Sequence, residues 1–179
     1  MRSLTLAVLL VGAAALVGVA SPVGADGDGG GDGHGRALFV RAWLTGYEET
    51  PLTLSSPGRG FFRAVVDEEA GTIQYSLTFD GVANVTQSHL HLGAHHTTGG
   101  ISVFLCTNLG NGPAGTQACP QSPGQISGTI HMADVIGPVP QGISAGEFAE
   151  LVAAIRNKVV YVNIHSQQFP GGEIRGQLL

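Results

Sequence analysis

The sequence predicts a mostly β protein, an antiparallel β-sandwich or barrel with Greek-key-like connections and one short α-helix. Several short segments alternate apolar with polar residues, which is the period of a strand that buries one face. Glycine and proline lie between these segments, and only one stretch has apolar residues at helical spacing. Because the strands do not alternate regularly with helices, a parallel α/β sheet is disfavoured.

The clearest strand is Thr72–Phe79, in which each apolar residue is followed by a polar one. Its apolar side is expected to pack on the core. The full set of eight predicted strands is Leu38–Leu44, Gly60–Val66, Thr72–Phe79, Ser88–Leu92, Ile101–Leu105, Gln125–Met132, Val159–His165 and Glu173–Leu178.

One helix is predicted from Ala145 to about Arg156. Ser144 and Glu147 have the spacing of a capping box, which satisfies free backbone N–H groups at a helix start. Its apolar residues, which are expected to form one stripe against the sheet, are Phe148, Leu151, Val152 and Ile155.

The first residues are typical of a signal peptide. The apolar stretch Leu4–Val19 is shorter than the roughly 20 residues that a membrane-spanning helix needs. We predict a signal peptide at residues 1–25 with cleavage before Asp26; cleavage after Ala20 and an uncleaved anchor are the alternatives.

Residues 26–35 are rich in Gly and Asp and predict a flexible linker, and residues 36–179 predict one domain. We therefore expect a secreted, periplasmic or cell-surface protein without a transmembrane segment after cleavage.

The charge pattern disfavours nucleic acid as a partner. The chain has a net charge of −5 and only 8 Lys and Arg residues, which are scattered along the sequence rather than clustered. An extracellular protein or a glycan is the partner class that remains.

The two cysteines, Cys106 and Cys119, enclose a segment rich in Gly and Pro, and in an exported chain they predict a disulfide.

Histidines in two predicted strands form the candidate site. His89 and His91 are two residues apart and therefore point to the same side of their strand, and His165 lies on one side of a later strand with Tyr161 and Asn163. Imidazoles suit copper or zinc, so a metal site at His89, His91 and His165 is predicted if the strands are neighbours. Candidate polar supports are Asn163, Glu173 and Arg175. The alternatives are a solvent-facing surface and buried histidines that are held by hydrogen bonds without a metal.

Three stretches resemble the CHRD (chordin-type) domain: the opening Leu44–Pro51, the central His-x-His-x-Gly at His89–Gly93, and the ending that runs from Tyr161 to Leu178. The resemblance covers residues 36–179. It implies a single-domain exported member of the family, which we interpret as a non-catalytic extracellular or cell-envelope binding module. The segment from Cys106 to Cys119 and the pair His95 and His96 are not part of the family pattern.

The histidine pattern is also similar to that of copper/zinc superoxide dismutase, which has a His-x-His strand, a late histidine and an arginine near its end. The similarity is incomplete, because the bridging histidine and the zinc-binding loop are not found, although His95, His96 and His131 are nearby in sequence. No complete catalytic template is present. We therefore expect no enzymatic activity, and a metal-dependent, superoxide dismutase-like redox activity is the alternative.

Overall fold

A computed structural model describes residues 37–179, which form an eight-stranded antiparallel sheet and one α-helix. The strands are β1 (Leu38–Thr45), β2 (Arg59–Asp67), β3 (Thr72–Asp80), β4 (Val85–Leu92), β5 (Gly100–Thr107), β6 (Gly124–Ile130), β7 (Val160–Ser166) and β8 (Ile174–Gln177), and the helix is α1 (Phe148–Arg156). The predicted signal peptide and the whole of the predicted linker lie outside the described residues, as does residue 36. Within the described span, no helix is long and apolar enough to cross a membrane.

The strand order in the sheet is β5-β4-β7-β8-β1-β2-β3-β6. The two outer strands, β5 and β6, approach each other, so the sheet curls into a nearly closed barrel. The connections from β3 to β4 and from β6 to β7 pass over intervening strands, as in Greek-key topologies. The predicted mostly β, antiparallel fold with one helix is confirmed, and a barrel describes it best.

The barrel interior is filled by alternate residues of the strands. In β3, Ile73, Leu77 and Phe79 are buried, as their alternation predicts. The largest side chains with almost no exposure include Phe62 of β2 and Leu90 of β4. Among residues 37–179, the buried apolar side chains form one hydrophobic cluster.

Several predicted boundaries differ from the structure by one to three residues, and two of these differences have a clear local cause. Strand β6 ends at Ile130 rather than Met132, because the chain enters a 3-10 turn at Met132–Asp134 and the Asp134 side chain accepts the His131 N–H. Helix α1 begins at Phe148 rather than Ala145, since Gly146 has a φ of +83°, which an α-helix does not permit. Its predicted apolar stripe is buried.

The Cys106–Cys119 disulfide is present as predicted. It joins Cys106 of β5 to Cys119 in the connection from β5 to β6, the two strands that meet at the open seam of the barrel. In the same connection, the Gln117 side-chain amide donates to the Leu105 carbonyl of β5 at 3.0 Å and to the Ser127 carbonyl of β6 at 3.3 Å. The connection therefore joins both sides of the seam.

Removing the disulfide is expected to destabilise the barrel. The bond links cysteines that are 13 residues apart, and closing a loop of about this size stabilises a fold by about 3 kcal/mol in the chain-entropy model. The double variant Cys106→Ala, Cys119→Ala should lose about this free energy of unfolding in urea denaturation. Dithiothreitol should destabilise the natural protein and leave the double variant unchanged. If the two proteins were equally stable without dithiothreitol, the stabilising role of the disulfide would be contradicted.

Candidate metal site

The candidate site lies on the outward side of three neighbouring strands, β4, β7 and β8. In the antiparallel pairing of β4 with β7, His89 lies opposite Asn163 and His91 lies opposite Tyr161. In the pairing of β7 with β8, Asn163 lies opposite Arg175. Because alternate residues share a side of the sheet, these polar side chains form one continuous face. The condition that was set for the predicted site, neighbouring histidine strands, is thus met in the structure.

This polar face is buried. His89 is 0% exposed, and His91 and His165 are each 7% exposed, although all three point away from the apolar interior. Loops that follow β1, β4 and β7 cover them. The face opposite the leucines is therefore not a solvent face, and the sequence could not decide this point because alternation gives the two sides of a strand without identifying which is covered.

Arg175 holds two of the covering loops in place. Its guanidinium donates to the carbonyls of Thr97 at 2.8 Å and Ala94 at 3.1 Å, and to the Thr50 hydroxyl at 2.5 Å. The guanidinium carbon also lies 3.6 Å from the centre of the Tyr161 ring, within the range of a cation–π interaction. Arg175 therefore ties the loops after β1 and β4 to β8.

The three imidazoles lie close enough to share one ion. His89 Nδ1 and His165 Nε2 are 3.2 Å apart, and one ligand nitrogen from each of the three histidines lies within 4.8 Å of the others. Two nitrogens bound to one zinc at about 2.0–2.1 Å lie at most about 4.2 Å apart. The closest pair already meets this limit, whereas a separation of up to 4.8 Å among the three exceeds it, so binding of one ion by all three requires the rings to move closer.

Backbone carbonyls orient two of the rings. The Gly99 carbonyl lies 3.0 Å from His91 Nδ1, and the Pro170 carbonyl lies 3.0 Å from His165 Nδ1. A carbonyl only accepts, so each Nδ1 carries the proton and each Nε2 keeps its lone pair. A ligating histidine is commonly fixed by such a second hydrogen bond on its other nitrogen.

Burial also keeps the rings neutral. It lowers the pKa of His89 to about 2, with the neighbouring imidazoles adding to the effect, and lowers the pKa of His91 to about 4. Burial lowers the pKa of His165 as well. At neutral pH the three histidines are therefore uncharged, which is the form that binds metal.

Two of the ring nitrogens have no hydrogen-bond partner among the described residues, namely Nε2 of His89 and Nε2 of His91. A buried polar atom without a partner costs about 1–3 kcal/mol. His89 Nδ1 lies within hydrogen-bond distance of His165 Nε2, so the two nitrogens without a protein partner are the ones open to an ion or a water molecule.

A cavity of about 130 Å³ opens beside the cluster, with His91 and His165 on one side and Glu49, Asn163 and Arg175 on others. Since a water molecule takes about 30 Å³ of liquid, this volume admits a few waters or a small ligand. An ion held by the histidines would thus have space for an additional small ligand.

Glu49 is a site residue that the sequence analysis missed. It is buried, and its carboxylate accepts a hydrogen bond of 2.9 Å from the Asn163 amide. Gly172 lies directly against this pair, because a Cβ there would come within 2.7 Å of Asn163 Oδ1 and 2.8 Å of Glu49 Oε2. Glu49 follows a strand and a 3-10 turn, so strand parity gives no information on its direction; its place in the opening motif was the only available signal.

The remaining predicted residues have separate positions. Asn163 and Arg175 border the cavity, whereas the buried Glu173 accepts a hydrogen bond from Ser56 at 2.7 Å and is not a member of the histidine cluster. The exposed histidines His95, His96 and His131 are also outside the cluster. His95 instead lies 3.6 Å from the carboxylate of Glu48.

Comparison with known proteins identifies the family. A sequence model of the CHRD domain matches residues 40–178. The chain belongs to the CHRD domain family. No curated protein and no solved structure matches the chain. The three stretches that carry the resemblance meet in space: Leu44–Pro51 provides Glu49, the central motif provides His89 and His91, and the ending provides the side chains of β7 and β8.

Glu49 is expected to make the CHRD domain less stable at neutral pH and above than at mildly acidic pH. Burial raises its pKa to about 7 from a usual value of 4.5. Between these values the unfolded chain releases a proton that the folded domain retains, so stability falls as pH rises from 4.5 to 7. Above pH 7 this costs on the order of 3 kcal/mol.

Glu49→Gln removes this cost and keeps an oxygen that accepts from Asn163. In urea denaturation with a chelator present, the variant should gain stability over the natural protein as pH rises from about 4.5 to about 8. The buried histidines have the opposite dependence, since they lose stability as pH falls below 6.5. That effect is common to both proteins and cancels in the difference. A pH-independent difference would contradict the raised pKa.

Proposed function

We propose that this CHRD domain binds one copper or zinc ion through His89, His91 and His165. The observation that carries the proposal is a buried cluster of three neutral imidazoles with ligand nitrogens within 4.8 Å of one another. Two further features support it. Two rings are fixed by backbone carbonyls, and two nitrogens have no hydrogen-bond partner among the described residues.

Imidazole ligands favour copper or zinc over calcium or magnesium, which prefer oxygen. Thiolate ligands are excluded because the cysteines form the disulfide. At a site of nitrogen ligands, copper(II) binds more tightly than zinc. We therefore expect copper to displace zinc from the site in competition.

The chemistry of a bound ion follows from the cavity. Copper would supply one-electron chemistry, or zinc Lewis acidity, to a small ligand in the cavity of about 130 Å³. The residues of the chain contribute positioning: the Gly99 and Pro170 carbonyls orient the rings, and Arg175 holds the loop that carries Gly99. A non-catalytic metal-binding module is the proposed role, and a superoxide dismutase-like activity of the copper-loaded protein is the second candidate.

We further propose that the protein acts outside the cytoplasm, as a secreted, periplasmic or cell-surface protein. The apolar segment Leu4–Val19 and the disulfide both support this location, since disulfides persist in oxidising compartments.

Metal content tests the proposal directly. The chain from Asp26 onward is exposed to copper or zinc, freed of excess metal and analysed by elemental mass spectrometry. We expect close to one ion per chain. His91→Ala should lower the affinity by at least about 100-fold, more than the loss of an outer hydrogen-bond partner, which costs about 10- to 100-fold.

His131→Gln is the matched control, because it removes an exposed histidine outside the cluster and should retain the ion. His165→Gln keeps most of the buried side-chain volume, so that a loss of metal in this variant is not explained by unfolding. Circular dichroism checks that the variant is folded. No bound metal in the folded natural protein, or equal binding by His91→Ala, would refute the proposal. A superoxide assay on the copper-loaded protein then tests the second candidate, superoxide dismutase-like activity.

A further inference from the structure

A second surface, on other strands than the histidines, lies on the outward side of β1, β2 and β3. Its side chains form three rows across the strands. Phe39 lies opposite Val65, Arg41 lies opposite Arg63, and Trp43 lies opposite Phe61. We call this surface the aromatic face, defined by Phe39, Arg41, Trp43, Phe61, Arg63 and Val65.

The aromatic face exposes rings that a soluble domain usually covers. Phe39 is 73% exposed and Trp43 is 71% exposed, and the Trp43 ring lies 4.4 Å from the ring of Phe61. Phe39 and Trp43 are four residues apart on one strand and therefore about 13 Å apart. Exposed apolar patches of this kind mark interaction sites.

Two arginines lie between the aromatic rows. Arg41 and Arg63 are directly opposite each other, and like charges in this position destabilise a sheet. Among residues 37–179, Arg59 and Arg156 form ion pairs with Asp80 and Glu68, but neither Arg41 nor Arg63 forms any. The pair is thus an uncompensated positive charge in a chain whose net charge is −5.

The surface is concave as well as aromatic. A groove of about 1010 Å³ runs over it, lined by the aromatic face and by polar residues of β3 such as Gln74 and Ser76. Its other end reaches Glu48, the one carboxylate side chain that lines the groove, and His95, whose Nε2 lies 3.6 Å from that carboxylate. An elongated ligand fits such a groove better than a flat membrane surface does.

A second copy of the chain is a poor occupant. In a two-fold dimer each copy presents the same patch, so Arg41 and Arg63 of one copy would face the same arginines of the other. Four guanidinium groups without carboxylates between them would repel one another. Charge complementarity instead requires an anionic partner with apolar faces.

We infer that the aromatic face binds an acidic polysaccharide whose sugars carry carboxylates. Sugar rings have apolar faces that stack on aromatic side chains, here Trp43 and Phe61 at one end and Phe39 at the other. Arginine pairs with carboxylate through two parallel hydrogen bonds, and Arg41 and Arg63 lie between the two stacking positions. This inference is independent of the proposed metal site, which lies on β4, β7 and β8.

Calorimetric titration with polyuronates tests the inference. The chain from Asp26 onward is titrated with polygalacturonate and with alginate, and with fully methyl-esterified pectin as the uncharged match. We expect binding of a polyuronate that weakens as ionic strength rises, since salt screens exposed charges. Trp43→Ala and the double variant Arg41→Gln, Arg63→Gln should each lower the affinity at least about tenfold.

The controls are Arg156→Gln and Met132→Ala, which change an exposed arginine and an exposed apolar residue outside the aromatic face. Both should bind as the natural protein does. Since Trp43 is 71% exposed, its truncation leaves the core intact, and thermal unfolding checks this. Lack of binding to both polyuronates, or equal binding of the methyl-esterified polymer, would overturn the inference. So would a dimer in sedimentation that dissociates on Trp43→Ala, because a second copy would then occupy the face.

Discussion

The antiparallel register of β4 against β7 is the constraint on which the candidate site depends. A slip of one residue would turn every side chain of a strand to the opposite side of the sheet. The interior prevents such a slip, because Leu90 of β4 and Val162 of β7 face each other across the strands with 0% exposure. Hydrophobic burial on one side of the sheet therefore fixes the spacing of the imidazoles on the other.

A second layer of contacts fixes the orientation of the rings. The ring of His91 stacks on Tyr161 with an angle of 3° between their planes, and Arg175 lies over the same tyrosine. The Tyr161 hydroxyl also accepts the N–H of Gly99, whose carbonyl faces His91. The rings of His91 and Tyr161 are thus each held by two neighbours: His91 by Tyr161 and the Gly99 carbonyl, and Tyr161 by His91 and Arg175. A site that is ordered before its ligand arrives loses less entropy on binding.

Strand parity in the sequence was sufficient to predict which residues of a strand share a side, but the adjacency of the histidine strands was only a condition of the predicted site. Helical spacing was sufficient to predict the apolar stripe of α1. The covering loops could not be predicted, because their paths depend on hydrogen bonds between distant residues, such as those from Arg175 to Ala94 and Thr97, 81 and 78 residues away. Glu49 was missed for the same reason, since its burial results from these loops. The start of α1 was misplaced because Gly146 adopts a positive φ that the capping pattern does not reveal.

The seam between β5 and β6 has a consequence for how the domain behaves in crowded surroundings. An open sheet edge presents unpaired backbone groups that another chain can join, which leads to aggregation. Here the side chain of Gln117 occupies carbonyls on both edges, and the Cys106–Cys119 bond restrains the segment that carries it. The disulfide thus helps to protect the edge strands β5 and β6 from pairing with strands of other molecules. In the proposed location outside the cytoplasm, the disulfide would provide this protection without a chaperone.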